Sequence, residues 1–365
     1  MSRIVVVVPF AVKELDPDAH DLAGYLAADA AAELARAVDT RLLADAIPIA
    51  VASLGAAAAQ LGADAALGAR LRLEQEQVHL EVLLADAAGA EKALWTESSP
   101  LGAAPQLGRM LARATLLALG EDSSAAPQSL EPQVPAEAVL RLCRAVRRTS
   151  GDVGEVDAAV GELLALLDEL PALEAPRRAI RANARAAAGT DRMPAFLSAL
   201  EQLAEARPDD AETLLELAGY RALHLDVAGA RELYLRARDV AEDALTGAQA
   251  SVRLAELAEQ AGRIDEAVAQ LRTAARLADD PQVYARLGAL LLPRDPGEGL
   301  RELTRATVLA PDDPALLLQL VRALREHGGD PARAVAAAAQ AARLAESRPD
   351  LADEIATELQ LLLKG

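Results

Sequence analysis

Small residues recur at Ala230, Ala267, Gly299 and Ala334, at intervals of 37, 32 and 35 residues, and each opens the same local pattern. Four positions later stands Tyr234, Leu271, Leu303 or Ala338, and three beyond that Ala237, Ala274, Ala306 or Ala341. Spacings of four and three place the members of each set on one face of a helix. A first helix precedes each set and carries its own apolar and small neighbours: Leu217 with Ala218, Leu254 with Ala255, Leu287 with Gly288, and Leu320 with Val321. A pair of helices this short cannot bury its apolar face alone, so successive pairs must stack into a solenoid. That excludes an enclosed globular core for this part of the chain and directs the search for function to an extended surface.

Between the units lie "RPDD", "ADDP" and "APDDP", which put proline and a helix-capping aspartate where one unit passes to the next. Residues 211–346 resemble tetratricopeptide (TPR) repeats on these positions. Val321 stands where a small residue is usual, Gly299 where alanine is, and Ala338 where a large residue is, which predicts a looser final repeat. Upstream, "EAVLRLCRAVRR" with "VDAAVGELLALLDELP", and "PRRAIRANARAAAG" with "MPAFLSALEQLAEARP", continue the pattern in degraded form. About six helical pairs are expected, with "DLADEIATELQLLLKG" as a helix covering the apolar end.

The first third of the chain reads differently. "RIVVVVPF" is a continuous β-branched run suited to a central strand covered on both faces. Leu22, Leu26, Ala30, Leu34 and Val38 then mark one face of a helix, "TRLLAD" a short strand, and "VASLGAAAAQLG" a second helix. "ADAALGARLRLE", "VHLEVLLAD" and "KALWTES" are three strands in an antiparallel meander, and "APQLGRMLARATLLALG" is a closing helix. The expected order is βαβαβββα. Residues 61–95 are similar to the sheet-forming half of the TolB N-terminal-like domain, through Leu61, Gly62 and Asp64, then Asp86, Ala87 and Gly89, then Leu94 and Trp95. The opening strand and first helix extend that resemblance to about 120 residues. Many bacterial regulatory and scaffold proteins with this look carry the domain ahead of helical repeats, and the family supplies no common catalytic residues. On physical grounds Gly89 suits a turn at positive φ, Asp86 can accept from turn amides, and Trp95 can anchor a sheet-to-helix core.

"GEDSSAAPQSLEPQVP", rich in proline and serine, separates the two parts as a linker. The expected organisation is an α/β domain over 1–122, a linker over 123–135, degenerate hairpins over 136–207, and TPR repeats with a capping helix over 208–365. The fold class is therefore an α/β N-terminal domain followed by an all-α, TPR-like superhelical solenoid.

Net charge is −19, from 37 basic and 56 acidic residues, and the first 125 residues carry 9 basic and 17 acidic ones, so the excess is spread over both parts. Such a surface repels phosphate backbones, and at 2% the aromatic residues are too few to stack bases, which argues against nucleic-acid binding and anionic membranes. No apolar run is long enough to span a bilayer, and the N-terminal run lacks the features of a signal peptide, so a cytoplasmic location is expected. Cys143 is the only cysteine and reads as a buried, inert thiol. His20, His79, His224 and His327 are scattered without metal-ligand spacing, and there is no phosphate loop, dinucleotide fingerprint or nucleophile elbow. No catalytic residue, cofactor or metal is expected.

The resemblance to TPR proteins implies a concave surface lined by first helices. Helical spacing makes Leu215, Leu223, Arg253, Glu256, Arg286, Leu318, Arg322 and Arg325 candidates to line it. Arg177, Arg181 and Arg185, with Arg178 beside them, form an arginine stripe that either meets an acidic partner or pairs with the protein's own glutamates. The expected function is a non-enzymatic adaptor or scaffold for a protein or peptide, acidic or amphipathic. The alternative is a regulator whose α/β domain senses a small molecule and whose repeats relay the change. Homo-oligomerisation, partner identity and pathway stay open.

Overall fold

The computed structural model describes residues 4–12, 16–35, 38–42, 54–86, 88–120, 134–328, 330–345 and 349–364. Most of the expected linker lies outside the described residues, as does the second half of "TRLLAD". By contact the chain divides into two units, residues 2–203 and 204–365.

The first unit begins with β1 (Ile4–Val7), β2 (Ala11–Val12), α1 (Pro17–Leu34), β3 (Asp39–Leu42), α2 (Leu54–Gln60), β4 (Ala65–Glu74), β5 (Gln77–Asp86), β6 (Glu91–Pro100) and α3 (Ala104–Leu119). The sheet order is β3-β1-β4-β5-β6, with β3 and β4 parallel to β1 and β4 to β6 antiparallel. The expected βαβαβββα order is present with one addition. The opening run does not continue as a single strand: pairing breaks around Pro9, which has no amide hydrogen to donate, and resumes as β2 alongside β4. Val5, Val6 and Val7 are completely buried, as a strand between two neighbours requires. Leu22, Leu26, Ala30 and Leu34 of α1 are buried against the sheet side, and Leu107, Leu111 and Leu116 of α3 complete the core.

The turn chemistry follows the sequence. Gln75 and Glu76 both take positive φ, the two-residue geometry whose twist matches antiparallel strands. Gly89 has φ 90°, and Asp86 Oδ1 accepts from the Ala90 amide at 2.9 Å. Trp95 is only half-buried, because the leucines of α3 rather than the indole fill the core against the sheet. Leu94 is an extra residue between the paired positions Val82–Trp95 and Leu83–Ala93, a bulge that bends the outermost strand.

Four helices follow within the same stretch: α4 (Ala136–Arg148), α5 (Val153–Glu169), α6 (Ala175–Ala187) and α7 (Met193–Ala206), the last crossing the division between units. Both α4 and α6 pack on α1 as well as on α5, so the degenerate hairpins extend the core of the α/β layer. Cys143 is fully buried there, and burial pushes its thiol pKa up, away from thiolate chemistry.

The second unit holds α8 (Ala211–Leu223), α9 (Val227–Val240), α10 (Ala244–Gln260), α11 (Ile264–Leu277), α12 (Pro281–Leu291), α13 (Pro296–Leu309), α14 (Pro314–Glu326), α15 (Pro331–Leu344) and α16 (Pro349–Lys364). Successive helices pair as antiparallel hairpins that form a TPR-like solenoid. The small and large positions read from the repeat are buried in every pair, from Ala218, Ala230 and Ala237 to Val321, Ala334 and Ala341. The last repeat is as closed as the others: Val321 and Ala338 pack with Leu317, Leu318, Ala341 and Ile355, so the expected loosening is absent. Ile355 with Leu359 and Leu362 comes from α16, which packs on α14 and α15 and covers the end of the array.

Aspartate caps close nearly every joint. Asp210, Asp226, Asp243, Asp280, Asp295, Asp313 and Asp330 each accept a backbone amide in the first turn of the helix they start. Asp243 does so twice over, from the Thr246 amide at 2.8 Å and the Thr246 hydroxyl at 2.7 Å. Asp243→Ala is expected to lower stability by about 1 kcal/mol, read as a shift in urea midpoint at constant slope. An unchanged midpoint would show that the amide finds water instead.

Candidate functional site

Within the second unit the hairpins make two rows. The second helices are tied to one another by Arg231–Glu266 at 3.0 Å, Arg272–Glu298 at 2.5 Å and an Arg333–Thr304 hydrogen bond. The first helices α8, α10, α12 and α14, with α16 at the end, form the other row. Arg286 of α12 reaches α10, with Nε 2.7 Å from Glu259 and Nη1 3.0 Å from Glu256. Arg253 donates to the other oxygen of Glu256 at 2.9 Å. These four side chains are partly exposed and form one continuous strip of charge on α10 and α12.

On α8 the same row presents Glu212, Glu216, Gly219 and Leu223, spaced four, three and four apart and therefore on one face. Leu223 is 70% exposed. Leu215 lies half-buried beside this face. Behind Gly219 stands Tyr234 of α9, 4% exposed, its hydroxyl 3.7 Å from where a Cβ at Gly219 would sit. Burial pushes its pKa up, and the charges it feels are those of Arg253, Glu256 and Glu216. The phenol thus belongs electrostatically to the strip on α8 and α10.

Arg253, Glu256 and Arg286 are therefore brought together, while Leu215 and Leu223 lie on α8 of the same row. Leu318 is elsewhere: it is 3% exposed, in the apolar contact between α14 and α16. Arg322 pairs with Glu354 at 2.6 Å and Glu358 at 3.2 Å, and Arg325 with Glu358 at 2.8 Å. Glu354 and Glu358 belong to α16, so these two arginines hold the capping helix on the array. The arginine stripe on α6 is likewise not an open surface. Arg177 and Arg181 are buried, with Arg177 donating to Glu174 at 2.8 Å, and only Arg185 of the three is exposed. Their neighbour Arg178 is buried against α1. Helical spacing identified a face and could not say that the chain itself covers it.

Tyr234 and Gly219 are the site residues that helical spacing did not single out. Tyr234 occupies the filler position held by Leu271 and Leu303 in the following pairs, and its hydroxyl is the one polar atom in that column. A polar tip at an otherwise apolar repeat position was the available signal.

Among the described residues no group of three or more His, Cys, Asp or Glu side chains is arranged to hold a metal ion, and no helix is long and apolar enough to cross a membrane. His79 Nδ1 lies 3.0 Å from Ser98 Oγ on the exposed face of the sheet, and His20 Nδ1 lies 2.8 Å from the Asp16 carbonyl at the start of α1.

No family model matches the chain, and no curated protein matches it. Solved structures with a similar fold over part of the chain include MamA, 18% identical, covering 43% of this chain and 85% of MamA with a TM-score of 0.36. YrrB, described as a TPR protein with an unusual peptide-binding site, is 12% identical, covering 52% of this chain and 93% of YrrB with a TM-score of 0.38. PilF of Pseudomonas aeruginosa is 16% identical, covering 62% of this chain and 99% of PilF with a TM-score of 0.42.

Proposed function

We propose that this protein is a non-enzymatic adaptor or scaffold that grips a polypeptide on the first-helix row of its TPR-like array. The observation that carries the reading is the first-helix row itself, where Leu223 on α8 is exposed and Arg253, Glu256, Glu259 and Arg286 form a strip of partly exposed charge on α10 and α12. Apolar surface beside oriented polar groups is what a groove that binds a peptide segment presents. The columns between hairpins are filled by the chain's own side chains, which leaves the row rather than a cavity as the working surface.

A photo-crosslinking side chain placed at Leu223 of the full chain tests this, with the same group at Arg236 on the other row as reference. A partner is expected to be captured at Leu223, and to be lost when Gly219→Trp fills the space in front of the phenol. Equal capture from both positions, or capture indifferent to Gly219→Trp, rejects the row as the site.

A further inference from the structure

We infer that α16 carries a second docking site, for an amphipathic helix of a partner, on the face that each earlier first helix gives to its own second helix. Leu217, Leu254, Leu287 and Leu320 stand at one place in α8, α10, α12 and α14, and Ile355 continues the series in α16, at intervals of 37, 33, 33 and 35 residues. All five are buried. The last helix therefore keeps the register of a first helix. The residues that follow them are Ala218, Ala255, Gly288, Val321 and Ala356. The first four are buried, and their surroundings show what covers that place. A Cβ at Gly288 would stand 2.9 Å from the Gly299 carbonyl oxygen of α13. Ala255 shares an apolar cluster with Ala267, Val268 and Leu271 of α11, and Val321 shares one with Ala337, Ala338 and Ala341 of α15. Ala356 alone of the five is exposed, and Ala352 one turn before it is half-buried.

The array supplies the template for the occupant. The helices that cover the earlier positions carry a small residue, a filler four later and an alanine three beyond, as in Ala267, Leu271 and Ala274, and small residues on both sides let two helices cross closely. A neighbouring position excludes a further first helix as the occupant. Two residues before the leucine series stand Leu215, Val252, Ala285, Leu318 and Asp353. Ala285 and Leu318 are buried in clusters that include the next first helix, whereas Asp353 is exposed. Stacking the first helix of a second copy on the end of the array would bury that carboxylate against apolar surface. One helix lying in the second-helix position leaves Asp353 in water at the edge of the site, where it favours a lysine or arginine at the rim of the partner.

The experiment is fluorescence anisotropy on the full chain with a labelled peptide of the α11 sequence, "IDEAVAQLRTAARL", the helix that covers Ala255 in its own pair. Saturable binding is expected, weakened about tenfold or more by Ala356→Arg, because the added side chain fills the crossing. Thr357→Arg adds the same charge one residue on, at the place that Glu256 and Arg322 hold on the first-helix row, and is expected to leave binding unchanged. Absence of saturable binding overturns the inference, as does equal loss with the two variants, which would place the peptide elsewhere. Self-association of the full chain in sedimentation velocity that Ala356→Arg abolishes would put a second copy in the site and overturn the partner helix. Thermal melts report folding, and the smaller pair Ala356→Gln and Thr357→Gln carries the comparison if an arginine lowers the midpoint. None of these outcomes bears on capture at Leu223, so failure here leaves the row in place.

Discussion

Arg178→Met is expected to destabilise the first unit by about 3–5 kcal/mol, because it leaves a buried carboxylate without its cation. Arg178 Nε lies 3.0 Å from Asp29 Oδ1 and 3.5 Å from Glu33, and Nη2 donates to Asp29 Oδ2 and to the Pro105 carbonyl, both at 3.3 Å. The three charged side chains are 7, 5 and 4% exposed. Arg109 of α3 adds a second guanidinium 3.6 Å from Glu33. Gly108 makes room for the arrangement: a Cβ there would meet Asp29 Oδ2 at 2.1 Å. Urea unfolding followed by far-ultraviolet dichroism measures the loss. The pair Asp29→Leu with Arg178→Met should recover part of it, since removing both partners leaves no orphaned charge. A single-variant loss below about 1 kcal/mol would mean that water reaches Asp29 and that the pair behaves as a surface one.

Gly299→Val is expected to cost about 3 kcal/mol, at the upper end for overpacking, because the atoms in its way are backbone and cannot rotate aside. A Cβ at Gly299 would meet the Leu292 amide nitrogen at 2.8 Å and the Gly288 carbonyl oxygen at 2.9 Å. Gly288 on α12 faces the same crossing, with the Gly299 carbonyl oxygen 2.9 Å from its own absent Cβ. The α12–α13 pair thus crosses at backbone contact. Thermal unfolding should show a lowered midpoint for this variant, and retention of the wild-type midpoint would mean that the crossing can open without loss.

The same glycine shows what the chain's pattern could and could not reveal. As a departure from alanine it read as a sign of looseness, whereas the partner glycine at Gly288 turns it into a tighter contact. The small and large positions read from the repeat, such as Ala230, Tyr234 and Ala237, are buried in each pair, because i, i+4 and i+7 positions are fixed by helix geometry alone. The alternation in β4 and β5 and the Asp86–Gly89 turn were legible for the same local reason. What was not legible is coverage. Arg178 is answered by Asp29, 149 residues earlier, and Arg322 by Glu354, on a helix assigned only to capping. A stripe of like charge looks the same in sequence whether it faces solvent or another helix. On the first-helix row, Leu223, Arg253, Glu256 and Arg286 were readable as candidates from helical spacing, while the approach of the Tyr234 hydroxyl to Gly219 depended on how α8 and α9 pack.

The aspartates that start most of the successive helices accept an amide of the turn they begin, so the start of each such helix is fixed locally. An array assembled from such joints is modular in the engineer's sense. Adding or removing a hairpin between α11 and α14 would leave the caps of the flanking helices in place, while the ties of Arg286 to Glu256 and Glu259 and of Arg272 to Glu298 would have to be rebuilt. The length of the first-helix row can therefore change by duplication of a hairpin.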